Sequence, residues 1–225
     1  MIVVVEGRSY RQFCGVAHAL DLVGERWALL VVRDLILGPK RFTDLQAGLP
    51  GIGTNILSAR LKLLERGGVV RRRILAPPAA STVYELTEYG RELEAIVLAL
   101  GRWGAKGMAE RGQTEALRPE WLALALRAFF RPEAARDVRV SWELRLDGSV
   151  FDVRVDEGEV EVAIGPADDP DITLEAEIDV FLGLLAGPLA PAEAAGGSLR
   201  LTGDPKLLGK LIDIFRLTED EAAHA

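Results

Sequence analysis

Polar side chains that can hydrogen-bond to base edges or phosphates are concentrated between residues 40 and 73. The set comprises Lys40, Arg41, Thr54, Asn55, Ser58, Arg60, Lys62, Arg71, Arg72 and Arg73. Short Asn and Ser side chains can reach base edges in the major groove of duplex DNA. Lys and Arg supply phosphate contacts, which add affinity without carrying sequence information. These residue types predict a surface for double-stranded DNA, if the fold brings them together.

The elements that would position this set are typical of a helix-turn-helix. Residues 41–46 predict a first helix, and the Gly/Pro-rich segment AGLPGIG predicts a turn. A second helix, which Gly53 or Thr54 can cap, runs to about Arg66 and ends at Gly67-Gly68. Its expected buried stripe comprises Ile56, Leu57, Leu61 and Leu64. The alternative is an ordinary amphipathic surface helix without a role in recognition.

A two-stranded wing is expected after this helix. VVRRRIL and TVYEL predict strands on either side of an APPAAS tip. Strand alternation places Arg71 and Arg73 on one face and Arg72 on the other. The Pro77-Pro78 tip is stiff and has no Arg to insert into the minor groove. A solvated run of charges is the alternative for the three arginines.

Amphipathic helices are expected on both sides of this unit. Residues Cys14–Val23 and Trp27–Leu37 predict two helices before it, with Trp27 in the core. Thr87 is expected to cap a long helix that extends to about Met108. The apolar side of that helix comprises Leu93, Ile96, Val97, Leu100 and Trp103. This side predicts either a contact with a second protomer or packing within the same chain.

Residues 10–108 resemble the HxlR-type family of bacterial winged-helix transcriptional regulators. The matching motifs are a Cys that opens the first helix, G-E-R-W, R-F-T-D-L, P-G-I, L-K-L-L-E-R-G-G and Y-E-L-T-E-Y-G. The resemblance implies a homodimer that binds operator DNA, with the terminal helices at the dimer interface. It places Thr54, Asn55, Ser58 and Lys62 on the recognition helix and the Arg71–Arg73 run at the wing.

The only cysteine of the chain, Cys14, matches a family cysteine that senses electrophiles or oxidants in some members. Reactivity requires a lowered thiol pKa, and a helix N-terminus favours the thiolate. The alternative is a buried cysteine that acts as a small apolar residue. A single cysteine excludes an intrachain disulfide, so a reducing cytoplasm is the expected location.

Charge is divided unevenly along the chain, whose net charge is −7. Residues 1–110 carry 15 Lys and Arg against 11 Asp and Glu, a net charge of +4. Residues 111–225 carry 12 against 23, a net charge of −11. This asymmetry predicts two domains with different partners, although acidic surfaces also serve solubility alone. No stretch approaches the roughly 18 apolar residues of a membrane span, and the N-terminus does not resemble a signal peptide.

The second half predicts a sheet covered by helices. Residues 138–146 alternate apolar and polar side chains, and Asp147-Gly148 and Asp156-Glu157-Gly158 predict hairpin turns. WLALALRAFF, DVFLGLLAG and PKLLGKLIDIF predict helices that cover the apolar face of an antiparallel sheet. The expected fold class is α+β. Residues 1–110 form a mostly helical winged domain, and residues 118–218 form the antiparallel sheet with its helices.

Residues 121–217 resemble the sterol carrier protein type-2-like fold. The matching cues are the L-R-L-D-G hairpin, the D-I-T-L-E strand and L-R-L-T-G-D before the last helix. The resemblance implies an internal site for a lipid or another hydrophobic small molecule. Its wall residues are expected to be Trp142, Phe151, Phe181, Leu184, Leu185, Leu211 and Phe215. The alternative is a solid core, because protein interiors normally pack without voids.

No set of residues suggests catalysis. His18 has no second Cys or His at metal-ligand spacing, so a zinc site is not expected. The other histidine, His224, lies in the tail, which leaves almost nothing for general-base chemistry. Asp168, Asp169 and Asp171 form a weak calcium pattern, which solvated loop charges also explain. We therefore expect no enzyme, cofactor or metal. The hypothesis is a homodimeric DNA-binding transcriptional regulator controlled by an apolar effector or a thiol switch. The alternative is a lipid carrier whose N-terminal domain mainly dimerises.

Overall fold

The chain divides into two compact units, Met1–Val97 and Leu98–Ala225. In the computed structural model, the described residues are 9–76, 80–108, 118–187 and 199–216. The Pro77-Pro78 tip, the linker expected from Arg111 and His224 lie outside them. The limits 1–110 and 118–218 remain predictions. Among the described helices, none is long and apolar enough to cross a membrane.

Four helices precede the wing in the first unit. They are α1 (Gly15–Val23), α2 (Ala28–Ile36), α3 (Phe42–Gly48) and α4 (Thr54–Arg66). The bounds predicted from apolar spacing and glycines are confirmed to within two residues. Gly67 follows α4, and Gly68 adopts a φ of 71°, which glycine tolerates better than other residues.

The core of the first unit forms where α2, α3 and α4 pack together. Leu57, Leu61 and Leu64 of α4 are each at most 1% exposed. They cluster with Val31, Val32, Leu35, Leu45 and Leu49. Ile56 was expected in the same stripe but is 44% exposed, because successive residues differ by about 100° around a helix. Trp27, expected in the core, is half-buried and precedes α2 with a φ of 76°.

The wing is an antiparallel hairpin of β1 (Val70–Ile74) and β2 (Thr82–Leu86). Lys40 adds an isolated antiparallel bridge to Tyr84 on the outer side of β2. The hairpin therefore has a third strand position, which fixes the start of α3 beside the wing.

The long helix expected after the wing is divided into α5 (Glu88–Arg91) and α6 (Leu93–Ala105). Thr87 caps α5 as predicted, because its hydroxyl accepts a hydrogen bond from the N–H of Gly90 at 3.0 Å. Leu93 and Val97 of α6 pack against the core of the first unit. The other apolar residues of α6 face solvent: Ile96, Leu100 and Trp103 are 56%, 46% and 72% exposed.

The second unit contains a five-stranded sheet. Its strands are β3 (Arg139–Leu146), β4 (Ser149–Asp156), β5 (Glu159–Ile164), β6 (Ile172–Ala176) and β7 (Arg200–Gly203). Its described α-helices are α7 (Pro119–Phe129), α8 (Ile178–Ala186) and α9 (Lys206–Ile214). The sheet order is β5-β4-β3-β6-β7. The predicted alternation of β3 is confirmed, since Val140, Trp142, Leu144 and Leu146 are buried.

One strand pairing departs from the expected antiparallel sheet. Three pairings are antiparallel, but β6 runs parallel to β3, with Trp142 opposite Ile172. Residues 165–171 carry the chain from β5 across the polar face of β3. There the N–H of Ala167 donates to the Glu143 carboxylate at 3.0 Å. This crossover returns the chain to the end of the sheet where β3 begins, so β6 follows the direction of β3.

Candidate nucleic-acid interface

The outer side of α4 carries the short polar residues predicted for base recognition. Thr54, Asn55 and Lys62 are exposed, and Ser58 is half-buried. Asn55, Ser58 and Lys62 are spaced by three and four residues, so they share one side of the helix. The amide of Gln46 on α3 donates to the Thr54 hydroxyl at 2.9 Å. This bond fixes the first turn of α4, from which recognition helices reach base edges.

Arg60 has a different environment from the other polar residues of α4. Its Nε donates to the carbonyl of Arg26 at 3.0 Å, and a terminal nitrogen donates to the Glu25 carboxylate at 2.9 Å. Its side chain is only 18% exposed. Since both partners belong to the turn between α1 and α2, Arg60 ties α4 to that turn. The fold therefore does not bring its guanidinium together with the other predicted DNA contacts.

The three arginines of the wing are each held by a carboxylate. The two oxygens of Glu85 accept hydrogen bonds from Nε of Arg71 and Nε of Arg73, both at 2.8 Å. On the other face, Nε of Arg72 donates to Glu65 at 2.7 Å. The arginine side chains nevertheless remain 46–60% exposed. The predicted division of the arginines between the two faces is confirmed.

These contacts change the acidity of the wing residues. Hydrogen bonding from Arg73 lowers the pKa of the Glu85 carboxyl, burial opposes that effect, and Arg71 adds to the lowering. The hydrogen bond to Glu65 raises the pKa of Arg72. Both pKa shifts favour the charged form of the group concerned, Glu85 as a carboxylate and Arg72 as a guanidinium cation.

Lys40 and Arg41 lie beside the wing, at the start of α3. The backbone of Lys40 exchanges two hydrogen bonds with Tyr84, at 3.0 and 2.8 Å. Because Tyr84 also pairs with Arg72, the side chains of Lys40, Tyr84 and Arg72 share one face of the hairpin. Arg41 is exposed, and its backbone N–H donates to the Asp44 carboxylate at 3.1 Å. The fold thus places Lys40 on the face of the hairpin that carries Arg72, and Arg41 follows Lys40 in the chain.

Sequence reasoning did not identify three residues that hold this surface in place: Gln46, Glu65 and Glu85. A signal for Glu85 exists in the sequence, since pairing Leu86 with Val70 places Glu85 opposite Arg71. The contacts of Gln46 and Glu65 join different elements and have no comparable local pattern.

Cys14 lies at the N-terminus of α1 and is exposed. The backbone N–H groups of Ala17 and Val16 lower the pKa of its thiol. The adjacent Phe13 is fully exposed, and Val16 is 69% exposed. The alternative of a cysteine buried within its own chain does not hold, and the thiol is accessible to a reagent.

The seven expected wall residues of the second unit are all at most 1% exposed. The indole N–H of Trp142 donates to the carbonyl of Leu207 at 3.3 Å, and the ring meets Phe215 edge-on at 6.2 Å. Burial suits a solid core as well as an enclosed site, so the pocket stays a prediction. Among the described side chains, no group of three or more His, Cys, Asp or Glu could hold a metal ion.

A separate polar cleft of about 530 Å³ lies at the end of β3 and β6. Its described lining comprises Arg145, Asp147, Gly148, Ser149, Val150, Glu175, Ala176, Glu177 and Arg200. The seven expected wall residues are not part of this lining. The cleft therefore differs in chemistry from the apolar site that the sequence predicted.

The polar side of α4, the adjacent wing and the helices before it define the class of winged helix-turn-helix DNA-binding regulators. Residues 22–111 match the HxlR-like helix-turn-helix family, and residues 133–216 match the SCP-2 sterol transfer family. The chain belongs to the HxlR family of transcriptional regulators and carries an SCP-2-type domain after the winged unit.

Individual relatives match the first unit. The uncharacterized HTH-type transcriptional regulator YdeP of Bacillus subtilis is 35% identical over 105 residues, which cover 47% of this chain and 82% of YdeP. YodB of the same organism is 36% identical over 96 residues, which cover 43% of this chain and 85% of YodB. The structure of the redox regulator HypR in its oxidized form is 34% identical and covers 43% of this chain and 99% of HypR, with a TM-score of 0.40.

Proposed function

We propose that this regulator binds an operator in duplex DNA through α4 and the wing. The observation that carries the proposal is the exposure of Asn55 and Lys62 on α4 together with the exposed arginines of the adjacent wing. Asn55 and Ser58 read base edges, and Thr54 and Lys62 contact DNA beside them. The phosphate contacts come from Lys40, Arg41, Arg71, Arg72 and Arg73. Because its proposed target is chromosomal DNA, the protein works in the cytoplasm.

The protein acts as a homodimer. Apolar side chains exposed along two helices support this part of the proposal: Phe13, Val16 and Leu20 at α1, and Ile96, Leu100 and Trp103 on α6. Val16 and Leu20 are four residues apart in α1, and Ile96, Leu100 and Trp103 are spaced by four and three residues in α6, so each set lies on one side of its helix. Phe13 lies just before α1. Covering them with a second copy removes apolar area from water, at about 25 cal/mol per Å². Two-fold symmetry then presents two recognition helices to a palindromic site.

Footprinting and a salt series test this proposal. The full chain should protect a palindromic site, and log affinity should fall linearly with log salt, by about 0.9 per phosphate contact. Trp103→Glu should convert the dimer into a monomer in analytical ultracentrifugation and weaken binding to the palindrome. Ile164→Glu is the matched control, since Ile164 is 50% exposed and lies outside both apolar stripes. Binding no stronger to the palindrome than to random duplex would contradict the proposal.

Cys14 controls DNA binding as a thiol switch. Its exposure and its lowered pKa support this role, because the thiolate is the reactive form. Alkylation with iodoacetamide forms a sulfur–carbon bond and releases iodide, and it should change operator affinity. The Cys14→Ser protein should bind the operator, and iodoacetamide should leave its operator affinity unchanged. Equal operator affinity before and after complete alkylation would contradict the switch.

The second unit binds an apolar effector. The match of residues 133–216 to the SCP-2 sterol transfer family supports this proposal. An effector acts only if it binds one arrangement of the dimer more tightly than another. Equal affinity for two arrangements leaves their populations unchanged. Native mass spectrometry of the purified protein should reveal the dimer with a co-purifying apolar molecule. A bound lipid combined with an absence of specific duplex binding would instead favour a carrier whose winged unit mainly dimerises.

A further inference from the structure

Glu85 lies at the centre of the wing, between two arginines. It stands opposite Arg71 in the strand register, and Arg73 is two residues further along β1 on the same face. One carboxylate oxygen accepts from Arg71 and the other from Arg73, both at 2.8 Å. The Glu85 side chain is 9% exposed, whereas those of Arg71 and Arg73 are 60% and 46% exposed. A buried carboxylate thus anchors two accessible cations.

We propose that Glu85 is a positioning residue that holds Arg71 and Arg73 in place for DNA phosphates. The inference rests on the proposed function, because it assumes that the wing arginines contact DNA. Glu85 itself does not touch the nucleic acid. Its effect is exerted through the two guanidinium groups.

The physical basis of the proposal is side-chain entropy. A free Arg side chain occupies many rotamers and loses that freedom when it binds a phosphate. An arginine whose Nε is already fixed has less freedom to lose, so the wing binds with a smaller entropic cost. Each bond to Glu85 uses Nε, and the arginine side chains remain exposed.

Coulomb's law predicts the opposite effect for Glu85. A carboxylate near the backbone of DNA repels the phosphates, so removing its charge should strengthen binding. This repulsion is weakened because the Glu85 charge is shared between the two cations that it holds. We therefore expect positioning to dominate, and the two effects are distinguished by their sign.

The substitution Glu85→Gln separates the two effects. A carboxylate offers two acceptor oxygens, whereas an amide offers one acceptor and one donor group. The amide nitrogen would face an N–H donor, so Glu85→Gln can hold only one of the two arginines. The substitution keeps the shape of the side chain and removes its charge.

Duplex affinity of the full chain tests the inference, with Glu88→Gln as the matched control. Glu88 is exposed on α5, and its substitution removes one carboxylate charge from the same unit. Glu85→Gln should lose about 3- to 10-fold in affinity, the range expected when one immobilised side chain becomes free. Glu88→Gln should bind as tightly as the wild type or more tightly. Equal or tighter binding by Glu85→Gln would overturn the inference.

A second measurement on the wild-type protein does not depend on how the variant folds. The Nε–Hε groups of Arg71 and Arg73 should show restricted motion by NMR relaxation in the absence of DNA. Motion as free as that of the exposed Arg91 would overturn the positioning role. If the wild type shows ordered Nε–Hε groups but binds no duplex, the proposed function fails and the arrangement of the wing stands.

Discussion

Arg60 on α4 forms an ion pair of 2.9 Å with Glu25, in the turn between α1 and α2. The same guanidinium donates to the carbonyl of Arg26 at 3.0 Å. Cys14 precedes α1, and Asn55 lies in the first turn of α4. Cys14, with its accessible thiol, therefore lies at one end of α1, and the turn at the other end of α1 is bonded through Arg60 to α4, the helix proposed to read DNA.

Replacing Arg60 by Ala should destabilise the first unit by about 1–2 kcal/mol, because two hydrogen bonds are lost. Duplex affinity should fall, but its salt dependence should stay at the wild-type value, because no phosphate contact is removed. Arg72→Ala is the comparison and should reduce the slope of log affinity against log salt by about 0.9. Urea unfolding and fluorescence anisotropy measure the two effects. An equally reduced slope in Arg60→Ala would show that Arg60 contacts phosphate.

Asn55→Ala should weaken discrimination between operator and random duplex by about 1–3 kcal/mol, because a base-reading amide is removed. Its affinity for random duplex should change little. Competition binding with both duplexes measures the difference, and Arg72→Ala should weaken both duplexes equally. The opposite pattern would mean that the roles assigned to the two residues are exchanged.

The lowered pKa of Glu85 predicts acid sensitivity of the wing. A carboxyl whose pKa is lower in the folded than in the unfolded state stabilises the fold above its unfolded pKa of about 4.3. That contribution is lost as the pH falls through the lower folded value. The difference in unfolding free energy between wild type and Glu85→Gln should therefore shrink below about pH 4.3. Urea unfolding from pH 6 to pH 3 measures it, and a pH-independent difference would contradict the predicted linkage.

Gly90→Ala should destabilise the protein by at least about 2 kcal/mol. An added Cβ would lie 2.0 Å from the carbonyl oxygen of Val69, so α5 would have to move away from the wing. Gly209→Ala is the control, because an added Cβ has open space there and alanine favours a helix by about 0.5–1 kcal/mol. Thermal unfolding measures the stability of both variants relative to the wild type. A stable Gly90→Ala protein would show that α5 and the wing tolerate a wider separation.

Cys14 should react with iodoacetamide at lower pH in the folded protein than in the urea-unfolded chain. The N–H groups of Ala17 and Val16 lower the pKa of the folded thiol, and unfolding removes that effect. The thiolate fraction therefore reaches one half at a lower pH in the native state. Alkylation rates measured across pH 6–10 give the pH at which half of the thiol is ionised, in the folded protein and in the unfolded chain. Coinciding midpoints would show that the helix N-terminus does not activate the thiol.

Local periodicity was sufficient to predict the elements of the winged unit. The spacing of Leu57, Leu61 and Leu64 predicted both α4 and its buried side, because side chains three and four residues apart share one side of a helix. Strand alternation likewise separated Arg72 from Arg71 and Arg73. Both patterns depend only on the geometry of a single element, so residue type and spacing contain them.

Contacts between distant elements were decided only by the tertiary structure. Arg60 has the same polar character as Lys62, yet it bonds to Glu25, which lies 35 residues earlier. Ile56 has the apolar character of a core residue, yet it faces solvent. The parallel pairing of β3 and β6 depends on the path of the segment between β5 and β6. Residue composition and the spacing of apolar residues establish which side of a helix or strand is polar. The partner of each side chain depends on how the elements pack, because that partner lies on another part of the chain.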